Sequence, residues 1–410
     1  LVEHAAAAAG AAGSFCTVLE TQRDLDDTTP PGGQPAGGLG GAAGLATRND
    51  ANGQSSQRPP LDLRTADATS GAFFGLVGSI RELSDGKLLV ADRGDNQLYL
   101  FAFGGGEPTP VGRQGAGPGE FTEIGWLYGL RSDSSLVTDP RTNRYLILDG
   151  SRIVSTLSEQ DSRNTTLGAQ LSGADSRGHI LGVRGFRFSG NGPRVRETAD
   201  SLLLMRGGLV TSRLDTLTRI QGRGGAGFAN RPPSGGRMGR MIVSNPLASE
   251  DQALLFQDGW IAIASPSPYL VTWIPPDGVR TPGPRLSEAQ NPPSPAEKCR
   301  AMQAWFGATE RCDPSTIPGW PAKLPAFLPL SRPHPLPALF ATPEGRLLIA
   351  RNPAESPSGR TYDLIDRRGQ RVATYRLPGT EYVVGFGARH VYTVATDQDG
   401  LQHITRRPWT

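Results

Sequence analysis

The glycine-rich stretch GRQGAGPGEF, residues 112 to 121, has four glycines that could cradle a phosphate. A phosphate loop needs a buried strand before it and the first turn of a helix after it, because the free N–H groups of the helix N-terminus do the binding. KLLVADRGDNQLYLF (87 to 101) can supply the strand. Downstream, TEIGWLYGLRSDSSLVTD has no i, i+3, i+4 stripe and reads as another strand and turn. No Lys-Ser/Thr pair follows the glycines, and a GxGxxG pattern would put its last glycine at Glu120. The stretch is therefore expected to be architecture.

Asp92, Asp95 and Asn96 in DRGDN carry the oxygen ligands a hard cation needs. An Asp-Asn turn between two strands, bonding its own backbone, explains them better. The five histidines are scattered. His4 lies in the N-terminal tail, His179 follows a turn, His334 sits between prolines, and His390 and His403 flank strands near the C-terminus, so no zinc set forms. No GxSxG elbow supports a nucleophilic serine. No catalytic, cofactor-binding or metal-binding residue is assigned, and no cofactor is expected.

Cysteines number three, an odd count. Cys299 and Cys312 lie close together, and a disulfide between them would fit an oxidising compartment. Two unrelated buried thiols fit the sequence equally well. Cys16 invites a lipidation reading, although the Phe15 before it is not the small residue such a site wants.

Gly 53 and Pro 35 in 410 residues demand many turns, which favours short strands and an all-β fold. A net charge of +3, with both signs interspersed, gives no footprint for nucleic acid. Only NRPPSGGRMGRM (230 to 241) is locally basic, and it reads as a solvated loop. No run approaches the roughly 18 apolar residues of a membrane span. Residues 1 to 60, Ala-rich and then Gly/Pro-rich, have almost no apolar periodicity. They are expected to be a signal remnant or a disordered tether.

From residue 61 onward the text repeats. LSDGKLLVADRGDNQLYLF (83 to 101), FQDGWIAIASPSPYLVTWIPPDGVRT (256 to 281) and TPEGRLLIARNPAESPSGRTYDLIDRRGQRVATYRL (342 to 377) each give an acid-Gly turn, a strand, a polar loop and a second strand. Units of about 40 to 50 residues with up to four short strands are the signature of β-propeller blades. The expected blades run 76 to 111, 124 to 160, 172 to 222, 250 to 285, 336 to 377 and 380 to 407, making an all-β, six-bladed propeller over 61 to 410. The last blade looks one strand short, and LDLRTADAT (61 to 69) is the candidate to complete it and close the ring. Residues 286 to 330 break the pattern as a helical, Pro-rich insertion between blades 4 and 5. Ser294, Pro295 and Glu297 give it a helix start with a capping box, and the helix is expected to pack over one face of the ring.

LLVADRGDNQLYLF followed by VGRQGAGPGEF resembles the NHL-like repeat. Together with PYLVTWIPPDG, WPAKLPAF and TYDLIDRRGQRVATYRLP, the chain looks like the secreted six-bladed β-propeller proteins of bacteria. The resemblance implies a fold and an extracytoplasmic location, in the periplasm or at the cell surface. It does not imply a function, since propellers host unrelated chemistries.

Candidate inner strands at 75 to 80, 124 to 130, 336 to 341 and 381 to 387 hold one carboxylate, Glu381, and no histidine. The chain is thus expected to be a non-catalytic propeller, monomeric, binding a protein, peptide or glycan at a loop or channel face. A hydrolase or lyase with its site under the 286 to 330 insertion is the alternative. The Gly-rich stretch has an echo in QGRGGAGFANRPP (221 to 233), which makes it a blade-to-blade crossover. Gly115, Gly117 and Gly119 would turn the chain, and Phe121 would anchor between neighbouring sheets.

Overall fold

The acid-Gly turns and the strands between them assemble into six blades. The computed structural model describes residues 61–158, 169–184, 201–209, 214–223, 227–231, 239–243, 245–288, 291–306, 312–317, 319–328, 330–331, 336–352 and 359–409. Residues 1 to 60, and with them the tether and Cys16, lie outside the described residues.

Blade 1 begins at its inner strand Val77–Glu82 and ends at Thr109–Val111; blade 2 runs from Leu127–Gly129 to Arg152–Ser158. Blade 3 runs from Ala169–Ala174 to Leu214–Gln221, and blade 4 from Gln252–Leu255 to Thr281–Pro282. Blade 5 runs from Leu339–Ala341 to Arg371–Pro378, and blade 6 from Tyr382–Phe386 to Gln402–Pro408. Each inner strand lies beside the inner strand of the next blade, and that of blade 6 lies beside that of blade 1.

The second strand of each blade explains how neighbours bind. In blade 1 it is Leu88–Asp92, buried along its whole length. Side chains alternate across a strand. Leu88 and Val90 pack toward blade 6 against Tyr392 and Val394, while Leu89 and Ala91 pack toward blade 2 against Leu127 and Leu146. Blade 4 repeats the arrangement, with Ile261 and Ile263 facing blade 3 and Ala262 and Ala264 facing blade 5. Both strand faces are interior, so the sequence reads as unbroken apolar runs such as LLVA and IAIA. The turns before these strands need a left-handed residue, and Gly86 and Gly259 supply it at φ 79° and 88°.

Ring closure uses the start of the described chain. Ala68–Thr69 pairs antiparallel with Gln402–Pro408 and completes blade 6 as its outermost strand. Residues 61 to 69 were expected to act as one strand, but they divide. Leu61–Asp62 pairs in parallel with the outer strand of blade 5, so the clasp spans two blades. Ion pairs hold each half, Asp62 to Arg376 at 3.0 Å and Asp67 to Arg406 at 2.9 Å.

Between blades 4 and 5 comes helix α1, Pro295–Phe306. Its capping box is formed: the Ser294 N–H donates to Glu297 Oε2 at 2.7 Å and the Glu297 N–H donates to Ser294 Oγ at 3.3 Å. Met302 packs with Ile317, Cys312 and Trp320 in a small separate core. The part of the insertion seated in the ring is not the helix but Ala326 and Phe327, both fully buried in the blade 4–5 interface.

Alternation of strand direction fixes the faces of the ring. Among the described residues, turns between first and second strands, which are short, and between third and fourth strands fall on one face. Among the described residues, the other face carries the second-to-third turns and the blade-to-blade connections. The connection 112–126, and the described residues of the connections that follow blades 3 and 4, therefore belong to one face.

Candidate functional site

On that connection-rich face the Gly-rich stretch is folded around its own side chain. Gly112 and Gly119 take φ of 70° and 76°. The Gly117 N–H donates to Glu120 Oε2 at 2.8 Å, the Gly115 N–H donates to the Phe121 carbonyl at 2.9 Å, and Arg113 pairs with Glu120 at 2.6 Å. The Gly117 N–H, outweighing burial and aided by Arg113, holds the Glu120 carboxyl below its ordinary pKa. A carboxylate thus fills the place a phosphate would take, and a strand rather than a helix follows. Phe121 is fully buried in the blade 1–2 core with Leu89, Leu98 and Ile124. Of the echo, the described part Gly227–Arg231 pairs with Gly239–Val243 as a two-stranded ribbon, and its Gly224 and Gly225 lie outside the described residues.

Asp92 and Asp139, each at the end of a second strand, are engaged in architecture. Asp92 is fully buried and accepts from the N–H groups of Gly75 (2.7 Å), Leu76 (2.8 Å), Gly94 (2.9 Å) and Asp95 (3.2 Å). It therefore clamps the approach to the inner strand as well as its own turn. Asp139 holds the equivalent place in blade 2, accepting from Thr122 and Glu123 N–H at 2.8 and 3.2 Å and pairing with Arg144 at 3.2 Å. Asn96 ties the two blades, its Oδ1 accepting from Ile124 N–H at 2.7 Å and its Nδ2 donating to the Thr122 carbonyl at 3.0 Å.

Glu381 is held by Arg407 through two contacts, at 2.8 and 3.0 Å. It lies just before the inner strand of blade 6 rather than on it, whereas Glu82 ends the inner strand of blade 1. That strand spans Val77–Glu82 and so runs past the 75 to 80 window expected for it. Glu82 accepts from the Ala388 N–H at 2.9 Å, on the short-turn face. The described histidines stay apart: His179 Nδ1 is 2.8 Å from Asp175, His390 lies 3.7 Å from Asp67 and 3.9 Å from Glu82, and His403 lies 3.6 Å from Asp397. Among the described residues no group of three or more His, Cys, Asp or Glu is placed to hold a metal. Cys299 and Cys312 form a disulfide, with Cα atoms 5.6 Å apart. His4 and His334 lie outside the described residues.

One pocket on this face combines charge and concavity. It opens between blades 5 and 6, beside the end of the insertion at Leu328, with Phe340 and Val383 as apolar wall and Arg351, Arg360, Tyr362 and Tyr382 as polar lining. Arg351 pairs with the buried Asp363 at 3.1 Å and stacks over the Tyr269 ring at 4.9 Å. Asp363 also accepts from the hydroxyls of Tyr269 (2.9 Å) and Thr374 (2.7 Å). Arg360 stacks over the Tyr382 ring at 5.5 Å. Burial pushes the Tyr362 phenol up to about 12, so it stays protonated at neutral pH.

None of these residues stands out in the sequence as a site residue. Their sequence signal was the period of two in GRTYDL, which sets Arg360 and Tyr362 on one strand face and Asp363 on the other.

No family model matches the chain, and no curated protein matches it either. Solved structures do. One is a protein from Bacteroides fragilis assigned as exported, 12% identical, covering 85% of this chain and 94% of its own, with a TM-score of 0.42. A member of the DUF4221 family from Bacteroides vulgatus is 10% identical, covering 84% and 97%, with a TM-score of 0.43. Virginiamycin B lyase from Staphylococcus aureus is 11% identical, covering 82% and 96%, with a TM-score of 0.39.

Proposed function

We propose that this chain is an extracytoplasmic propeller that binds a protein, peptide or glycan on its connection-rich face without converting it. The observation that carries this reading is the division of labour around the ring. Long connections, the insertion and the cationic pocket share one face. The buried carboxylates nearby, Asp92, Asp139 and Asp363, hold backbone N–H groups, hydroxyls and arginines in place. Carboxylate oxygens occupied by several donors inside the fold are not placed to reach a proton on a bound ligand. The Cys299–Cys312 pair supports an oxidising location. No helix among the described residues is long and apolar enough to cross a membrane. A ring closed by its own chain needs no strand from a partner, which supports a monomer.

The test is retention followed by recovery. Immobilised protein is offered a panel of neutral and acidic oligosaccharides and of peptides, and whatever it retains is eluted and weighed by mass spectrometry. Retention at unchanged mass is expected. A changed mass after prolonged incubation would replace this reading with the hydrolase or lyase alternative, and retention of nothing would remove it.

A further inference from the structure

We infer that the pocket between blades 5 and 6 recognises a single carboxylate on a compact ligand, with Arg360 as the residue that reads it. This rests on the binding reading above and gives it a ligand chemistry. Arg360 and Tyr362 lie two apart on the strand Gly359–Ile365 and both line the pocket. The cations around them are already matched. Arg351 and Arg371 share Asp363 at 3.1 and 3.4 Å, and Arg407 holds Glu381 at 2.8 Å. Arg360 has no carboxylate within ion-pair distance among the described residues. It has an aromatic platform instead, the Tyr382 ring 5.5 Å from its guanidinium carbon.

Stacking of this kind restrains the plane of a guanidinium and leaves its N–H fork directed outward, which is the geometry a carboxylate meets with two parallel hydrogen bonds. Tyr362 adds a second donor. Its oxygen accepts from the Val383 N–H at 3.0 Å, so its own O–H remains to donate. The remaining wall at Leu328, Phe340 and Val383 is apolar. The enclosed space is about 20 Å³, so it suits the acid group itself, with the body of the ligand at the open mouth. One unmatched guanidinium balances one negative charge, which favours a carboxylate over a phosphate dianion.

The probes are benzoate and glucuronate, with benzamide and glucose as neutral counterparts, titrated into the full chain by calorimetry or NMR. Saturable binding of an acid but not of its neutral counterpart is expected. A preference for glucuronate identifies a sugar acid, a preference for benzoate an apolar one, and either supports the site. Arg360→Met keeps the side-chain length without the charge and should weaken binding by about tenfold or more, the size of a charged hydrogen bond. Arg360→Lys and Tyr362→Phe should weaken it less, and they carry the test if Arg360→Met fails to fold. Equal response to acids and neutral analogues, or folded Arg360→Met binding like the parent, would overturn the proposal. If a glycan or peptide still binds Arg360→Met normally, the carboxylate site fails and the binding reading stands. If an acid binds through Arg360 and is then chemically altered, the site stands and the non-catalytic reading fails.

Discussion

Single side chains decide how firmly one blade holds the next. Phe121 was legible as an anchor because its glycine-rich neighbours failed as a phosphate loop, and it is fully buried between blades 1 and 2. Phe121→Ala should lower stability by about 3 kcal/mol or more in chemical denaturation, a large core deletion. Asp139 makes a different prediction. Burial alone would raise its pKa, but donors from Thr122, Thr142, Arg144 and Glu123 outweigh burial and the net shift is downward. A folded pKa below the unfolded one means stability present above the unfolded value of about 4 and lost as pH falls through the folded pKa. Asp139→Asn should therefore cost about 3 kcal/mol at neutral pH, the order expected for breaking a buried ion pair. The gap between variant and parent in urea midpoints should narrow in acid. A gap that stays constant would show that the charge of Asp139 is not what matters.

Elements were unequally legible. The apolar second strands and their acid-Gly turns announced the fold because both faces of those strands are interior. The inner strands of blades 3 and 4, Ala169–Ala174 and Gln252–Leu255, were not singled out, since AQLSGA and QALL lack β-branched and aromatic residues. The insertion was legible as a helix from its capping box, but not its seating, because Ala326 and Phe327 read as part of a Pro-rich loop. Its disulfide is checkable by intact mass. Non-reduced protein should weigh about 2 Da less than reduced protein, and peptide mapping should join Cys299 to Cys312. Equal masses would mean two free thiols and weaken the case for an oxidising compartment.

At the scale of the whole molecule, the proposed function assigns recognition to one face of the ring and leaves the other to structure. The pocket escaped sequence analysis because its lining, Leu328, Phe340, Arg351, Arg360, Tyr382 and Val383 among it, is spread along the chain until blade 6 packs against blade 5. The short-turn face has tight glycine turns and self-satisfied polar groups, such as Gln257, whose Nε2 donates to the Gly129 carbonyl at 2.9 Å and the Ala174 carbonyl at 3.2 Å. Hydrogen–deuterium exchange with and without a saturating retained ligand tests this division most directly. Added protection is predicted at 112–126, 324–328, 336–341 and 359–363. Protection confined to the opposite turns, 83–87, 130–133, 256–260 and 342–346, would contradict it.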